Sequence, residues 1–182
     1  MKKKIINTGR HLPRATYSDQ FELWQNRTKI VEKPIQKQSR KDKTILYGAY
    51  AVNQQVHPTL RRQTYDFDIY SHQPRHHAIQ LEKSIDRGVN ADLAYVQKTY
   101  YTKNGKKHPL YRVKTRLNDI TEADYNTMPK NIQYTTKQGI RYETLNRAEK
   151  KYDHMLDHPE YGRGFNANID RARIRIQKRG IR

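Results

Sequence analysis

A chain of 182 residues of which 34% are hydrophobic suits one domain around a modest core. Its 37 Lys and Arg against 18 Asp and Glu leave a formal charge of +19; such a surplus repels itself in a compact state and points to a polyanionic partner, nucleic acid ahead of an anionic membrane surface. The absence of cysteine excludes disulfides, thiolate metal sites and a cysteine nucleophile, and no apolar run approaches the roughly 18 residues of a membrane span.

The basic start, Met1-Lys2-Lys3-Lys4-Ile5-Ile6-Asn7, turns polar too soon for a signal-peptide core. The expected location is therefore intracellular or in a virion, without a signal peptide. Residues 1–17, with Gly9 and Pro13 and no period, read as a flexible arm. Ser18 is placed to cap a helix whose stripe of Phe21, Trp24, Ile30 and Val31 ends at Pro34, with Trp24 as its anchor on the core. The polar, basic run 33–43 reads as a linker. A strand at 44–47, a small-residue turn at Gly48-Ala49, a short helix to about Gln55, a loop with His57, Pro58, Arg61 and Arg62, and a strand at 64–70 follow.

After Pro74 the apolar positions Ala78, Ile79, Leu81 and Ile85 predict a helix closed by Gly88. Residues 93–117 form a hairpin around Asn104-Gly105, the strongest short turn signal in the chain. A strand is expected from Ile120 to Asn126, closed by Met128-Pro129, and a helix from Glu143 to Leu156. Beyond Arg163-Gly164 a basic segment at about 168–178 reads as a helix with Ile169, Arg173 and Ile176 on one side, or equally as an edge strand. The mixed order of elements predicts an α+β fold, a twisted mixed sheet with helices on one face. His72, His76 and His77, and the His154/His158 pair, lack the further ligands that a metal site needs and read as solvated or capping residues.

The chemistry concentrates between Ile45 and Tyr70. On a strand, residues two apart share a face, so Asp66 and Asp68 project together while Phe67 and Ile69 face the core. Two carboxylates held side by side repel, and a divalent cation between them relieves that repulsion.

Tyr47-Gly48-Ala49 followed by Arg62-Gln63-Thr64-Tyr65-Asp66-Phe67-Asp68-Ile69 resembles the nucleotidyltransferase superfamily of the DNA polymerase β type, in its minimal, viral and toxin-like branches. That family carries a hydrophobic residue, Gly and then Gly or Ser at the turn into a helix, and an Asp-hydrophobic-Asp-hydrophobic strand. Ala49 departs from the pattern, and the interval of 18 positions from Gly48 to Asp66 is longer than in its tightest versions.

The resemblance covers about residues 44–129. It implies a nucleotidyltransferase-like core at 44–129, flanked by a basic arm, helix and linker at 1–43 and a basic helical extension at 130–182. It further implies Mg²⁺ or Mn²⁺ held by Asp66, Asp68 and a third carboxylate from a neighbouring strand, and an NTP whose phosphates meet Gly48 and Ala49. Asp124 is the first candidate for that third carboxylate, with Glu122 and Asp119 as competitors. A guanidinium meets phosphate oxygens in pairs, which makes Arg62 a candidate triphosphate clamp.

The expected activity is transfer of a nucleoside monophosphate to an RNA or DNA end, with the basic termini along the acceptor backbone. A catalytically silent nucleic-acid-binding or virion protein contacting neighbouring subunits is the alternative from another class. Transfer to a protein hydroxyl, as in toxin-like relatives, is a third.

Overall fold

The computed structural model describes residues 4–6, 12–103, 105–158 and 164–180. Met1, Lys2, Lys3, Asn7, Gly9, Asn104 and Arg163, all part of the sequence readings above, lie outside them. The strands are β1 (Lys4–Ile6), β2 (Ile45–Tyr47), β3 (Phe67–Ser71), β4 (Ala94–Lys103), β5 (Lys106–Thr115), β6 (Thr121–Thr127), β7 (Tyr134–Lys137) and β8 (Ile140–Glu143). The helices are α1 (Tyr17–Gln25), α2 (Lys33–Asp42), α3 (Gly48–Asn53), α4 (Pro74–Val89), α5 (Leu145–Asp157) and α6 (Gly164–Arg179). One mixed sheet runs β1-β4-β5-β6-β3-β2-β8-β7, parallel only at β6/β3 and β2/β8. This is an α+β architecture, a mixed sheet with flanking helices.

Alternation along β3 decides how the site is built. Phe67 and Ile69 are buried and join Leu81, Ile85 and Val96 in the main core, where α4 packs on β4, β5 and β6. Asp68 and Tyr70 point the other way, into a cleft walled by α5 and α6. Helices therefore cover β3 from both sides rather than one. A second, smaller core of Val52, Val56, Ala148, Tyr152, Ala167 and Ile174 binds α3, α5 and α6 together. With 14 tyrosines, many buried apolar groups carry a hydroxyl that needs a partner; fully buried Tyr125, for example, donates to Gln38 Oε1 at 2.7 Å.

Several local expectations are corrected. Lys4–Ile6 is no arm but an edge strand, pairing antiparallel with β4. Pro34 opens α2 instead of ending α1, because a helix's first turn has no use for the N–H that proline lacks. The supposed linker 33–43 is thus mostly helix, entered through a π-helical turn at Thr28–Glu32 and ended by Lys43 in the left-handed region, φ 57°. Trp24 is 49% exposed and Phe21 57% exposed, while Gln20 and Leu23 face the core. Trp24 is therefore no core anchor.

Strand β3 begins at Phe67, so Asp66 stands just ahead of it. Gly88 does not close α4: its missing side chain admits Ile30, since a Cβ there would meet Ile30 Cγ2 at 2.8 Å, and Asn90 takes the left-handed cap. The hairpin β7/β8, turned by Gln138 (φ 51°) and Gly139 (φ 74°), has no counterpart in the sequence reading. The segment at 168–178 is helical, which ends the edge-strand alternative, and Ile174 rather than Ile176 is buried.

Candidate active site

A lateral row of four side chains crosses the sheet. Tyr47 on β2 is paired with Asp68 on β3, Asp68 with Asp124 on β6, and Asp124 with Arg112 on β5. Parallel pairing of β3 with β6 is what sets the two aspartates opposite each other, although 56 positions separate them in the chain. The next row brings Tyr70 opposite Asn126 and Asn126 opposite Leu110. Tyr47 and Tyr70 stack with ring centroids 3.9 Å apart, and Asn126 Nδ2 donates to the Tyr47 hydroxyl. Burial first, and the negative charge of Asp68 next, hold the Tyr47 phenol well above its ordinary pKa, so it stays neutral.

The turn before α3 is shaped around Asp68. Gly48 has φ 71°, and a Cβ added to it would lie 2.1 Å from Asp68 Oδ2. Only glycine fits both the conformation and the space. Ala49 follows at the cleft surface. The cleft encloses about 940 Å³ and is lined by Gly48, Ala49, Asp66, Asp68 and Asp124 among others.

All the predicted site residues therefore border one cavity, but on different terms. Asp66 is exposed and accepts from Thr64 Oγ1 at 3.3 Å. Asp124 is gripped by Arg112, whose Nε lies 3.1 and 3.3 Å from its two carboxylate oxygens. Arg62 donates to both oxygens of Asp170, at 2.8 and 2.9 Å, which ties the loop before β3 to α6.

Of the three candidates for the further carboxylate, Asp124 alone is in register with Asp68. Glu122 is buried and bridged by Arg27 at 2.9 Å, and burial raises its pKa against the pull of that guanidinium. Asp119 sits in the turn ahead of β6, 2.6 Å from Lys114 Nζ. As a donor set, Asp66, Asp68 and Asp124 offer the hard carboxylate oxygens that Mg²⁺ and Mn²⁺ take. Among the described residues, however, no three His, Cys, Asp or Glu side chains converge closely enough to hold a metal ion. The donors match such an ion by chemistry, and Arg112 competes with it for Asp124.

Sequence reading passed over much of the cleft wall. Arg147 and Lys151, one helical turn apart on α5, both reach the buried Glu143, at 3.1 and 3.4 Å, and Lys151 Nζ lies over the Tyr47 ring, 4.6 Å from its centroid. Their spacing of four was a visible signal. The roles of Tyr47, Tyr70, Asn126 and Arg112 were not visible, because each depends on strand pairing.

Among the histidines, His77 is buried, its Nδ1 2.6 Å from Ser71 Oγ and its Nε2 3.4 Å from Asp42. Because Ser71 is fully buried and its Oγ also accepts from the Gln73 N–H, this chain of contacts fastens the start of α4 to β3 instead of presenting a nucleophile.

The chain is similar to a Megavirus polyadenylate synthase, with a TM-score of 0.64 and 16% identity, over 94% of this chain and 40% of that one. At that identity the likeness is one of fold. This chain spans two fifths of the viral enzyme's length. The JHP933 protein from Helicobacter pylori aligns at a TM-score of 0.36 and 17% identity, over 69% of this chain and 53% of that one, too distant a match to carry an argument. No family model matches the sequence, and no curated protein does. Among the described residues no helix is long and apolar enough to cross a membrane.

Proposed function

We propose that this chain is a Mg²⁺- or Mn²⁺-dependent nucleotidyltransferase that moves a nucleoside monophosphate from an NTP to the end of a nucleic acid. The observation that carries this reading is the pairing of Asp68 with Asp124 across parallel strands, with Gly48 pressed against Asp68 at the edge of an open cleft. The fold shared with a viral polyadenylate synthase supports it.

In the reaction, an acceptor hydroxyl oxygen bonds to the α-phosphorus, the bond from that phosphorus to the bridging oxygen breaks, and pyrophosphate leaves. Asp66, Asp68 and Asp124 would hold the metal, which supplies charge neutralisation for the triphosphate and acidifies the attacking hydroxyl. Gly48 keeps the turn close enough for backbone N–H groups to meet phosphate. Tyr47 and Tyr70 offer a neutral stacked surface beside the carboxylates, and Arg147 and Lys151 put positive charge on the facing wall.

Incorporation of labelled NTP into mixed RNA and DNA acceptors, with Mg²⁺ or Mn²⁺, tests the proposal. Asp68→Asn should lower incorporation at least about a hundred-fold, since a catalytic ion is worth several kcal/mol. Undiminished activity in that variant rules the mechanism out.

One observation favours a second reading. Arg112 already offsets the charge of Asp124, and a guanidinium fixed there suits a non-catalytic protein that holds nucleic acid. On that reading wild type binds oligonucleotides with steep salt dependence and incorporates nothing. Arg112→Gln separates the two: it raises Mn²⁺ affinity if Asp124 is a metal ligand and leaves it unchanged otherwise.

A further inference from the structure

Helix α1 turns a row of aromatic rings to solvent. Tyr17 is 74% exposed, Phe21 57% and Trp24 49%. Their spacing of four and then three places them within an arc of roughly 60° on the helix, with successive positions about 6 and about 4.5 Å apart along the axis. The same geometry sends Asp19 and Glu22 to the far side, more than about 100° away. Gln20 and Leu23 dock the helix, so the aromatic row is surplus to its packing.

The row ends beside the start of β3. Arg27, three residues beyond Trp24, lies 5.0 Å from the centroid of the Phe67 ring on the core face of the sheet, bridges the buried Glu122, and donates through Nη2 to the Tyr65 carbonyl. Tyr65 is itself 64% exposed and lines the cleft beside Asp66.

We infer that the exposed aromatic face of α1 is a stacking platform for the unpaired bases of a single-stranded nucleic acid whose end enters the cleft past Tyr65. Three observations select that occupant. The rings are planar aromatics rather than the branched aliphatics of a helix-docking seam, and every base has a face to stack on them. A molecule of charge +19 attracts a polyanion. The row ends at Arg27, which holds the backbone of Tyr65, a residue that lines the cleft. The inference rests on the nucleotidyl-transfer reading for the purpose of the track, but not for its binding.

Trp24 is the chain's one tryptophan, so emission under tryptophan-selective excitation reports on this helix alone. Titration of the full chain with oligouridylate at fixed salt should quench it, and a duplex of equal charge should not. By anisotropy with a labelled single strand, Phe21→Ala and Trp24→Ala should each weaken binding about ten-fold. The salt slope should stay the same, because no phosphate contact is removed.

Equal affinity of these variants and wild type, or equal quenching by single strand and duplex, overturns the inference. So does self-association of wild type that the variants abolish while oligonucleotide affinity holds, because the row then serves a second copy. The two readings fail separately. Wild type that incorporates nucleotide while the α1 variants bind as it does refutes the platform alone. Ring-dependent binding by a wild type that never incorporates nucleotide refutes the enzyme alone and keeps the platform.

Discussion

Gly48 shows how much one missing methyl group can set. Its φ of 71° is left-handed, which costs an L-residue about 1–2 kcal/mol, and its Cα hydrogen faces Asp68 at a distance that no side chain tolerates. Replacing it with alanine would force the Asp68 carboxylate to rotate away from Asp124. Gly48→Ala should therefore lose about 1–2 kcal/mol of stability in urea denaturation and, separately, at least about ten-fold in nucleotide incorporation. A variant as active as wild type would show that the position of Asp68 does not matter. The glycine and its aspartate were both readable from the Tyr47-Gly48-Ala49 and Asp66-Phe67-Asp68 runs. That they touch was not, because the contact is made by antiparallel pairing of β2 with β3.

At the level of elements, the decisive join is between α6 and the loop that leads into β3. Asp170, nearly buried, accepts from Arg62 and Arg173, and Arg173 also donates to the Leu60 carbonyl and to Asn53 Oδ1. Removing one member of a buried ionic network strands the others, which costs about 3–5 kcal/mol. Asp170→Ala should approach that loss and expose α6 to limited proteolysis. Asp153→Ala serves as the control: its carboxylate is 37% exposed, and among the described residues it pairs with the half-buried Arg171 and the exposed Arg175. That change should stay within about 1 kcal/mol. If Asp170→Ala is as mild, α6 is held by the apolar contacts of Ile174 and Ala167 rather than by this network. The same helix shows why a charge count misleads. Arg171, Arg175 and Lys178 are tied to Asp153 and Glu149 on α5, so part of a segment read as a phosphate-binding tail is spent on joining two helices.

For the molecule as a whole, the buried acids of α4 set a pH dependence. Asp86 is fully buried, accepts from the Leu93 and Ala94 N–H groups at 3.1 and 2.8 Å, and is pushed up to about 7, chiefly by burial and further by the charge of Glu82. Its folded pKa lies above the unfolded one, so between the ordinary carboxylate range and about 7 the folded state holds more protons than the unfolded. Stability from this group then falls as pH rises through that window. Asp86→Asn, which keeps an acceptor for both N–H groups and cannot ionise, should flatten the decline in Tm from pH 4 to pH 7. A wild-type Tm that does not fall across that range, with the variant parallel to it, would count against a raised Asp86.

Composition, punctuation and short motifs determined that this chain would be a basic α+β domain. They placed the hairpin around Gly105, β6 and the helices α4 and α5, and set two aspartates on either side of Phe67. Those features are local: a turn residue, an alternation or a period acts within a few positions of itself. Only the tertiary structure decided that Asp124 faces Asp68, that Arg112 stands on its other side and that Tyr47 stacks on Tyr70, because strand order and parallel register join residues far apart in the chain. Burial decided the rest. Pro34 opens a helix and Trp24 meets solvent because the π-helical turn at Thr28–Glu32 gives the core face to Ile30, Val31 and Ile35, a competition among faces that the order of residues does not record.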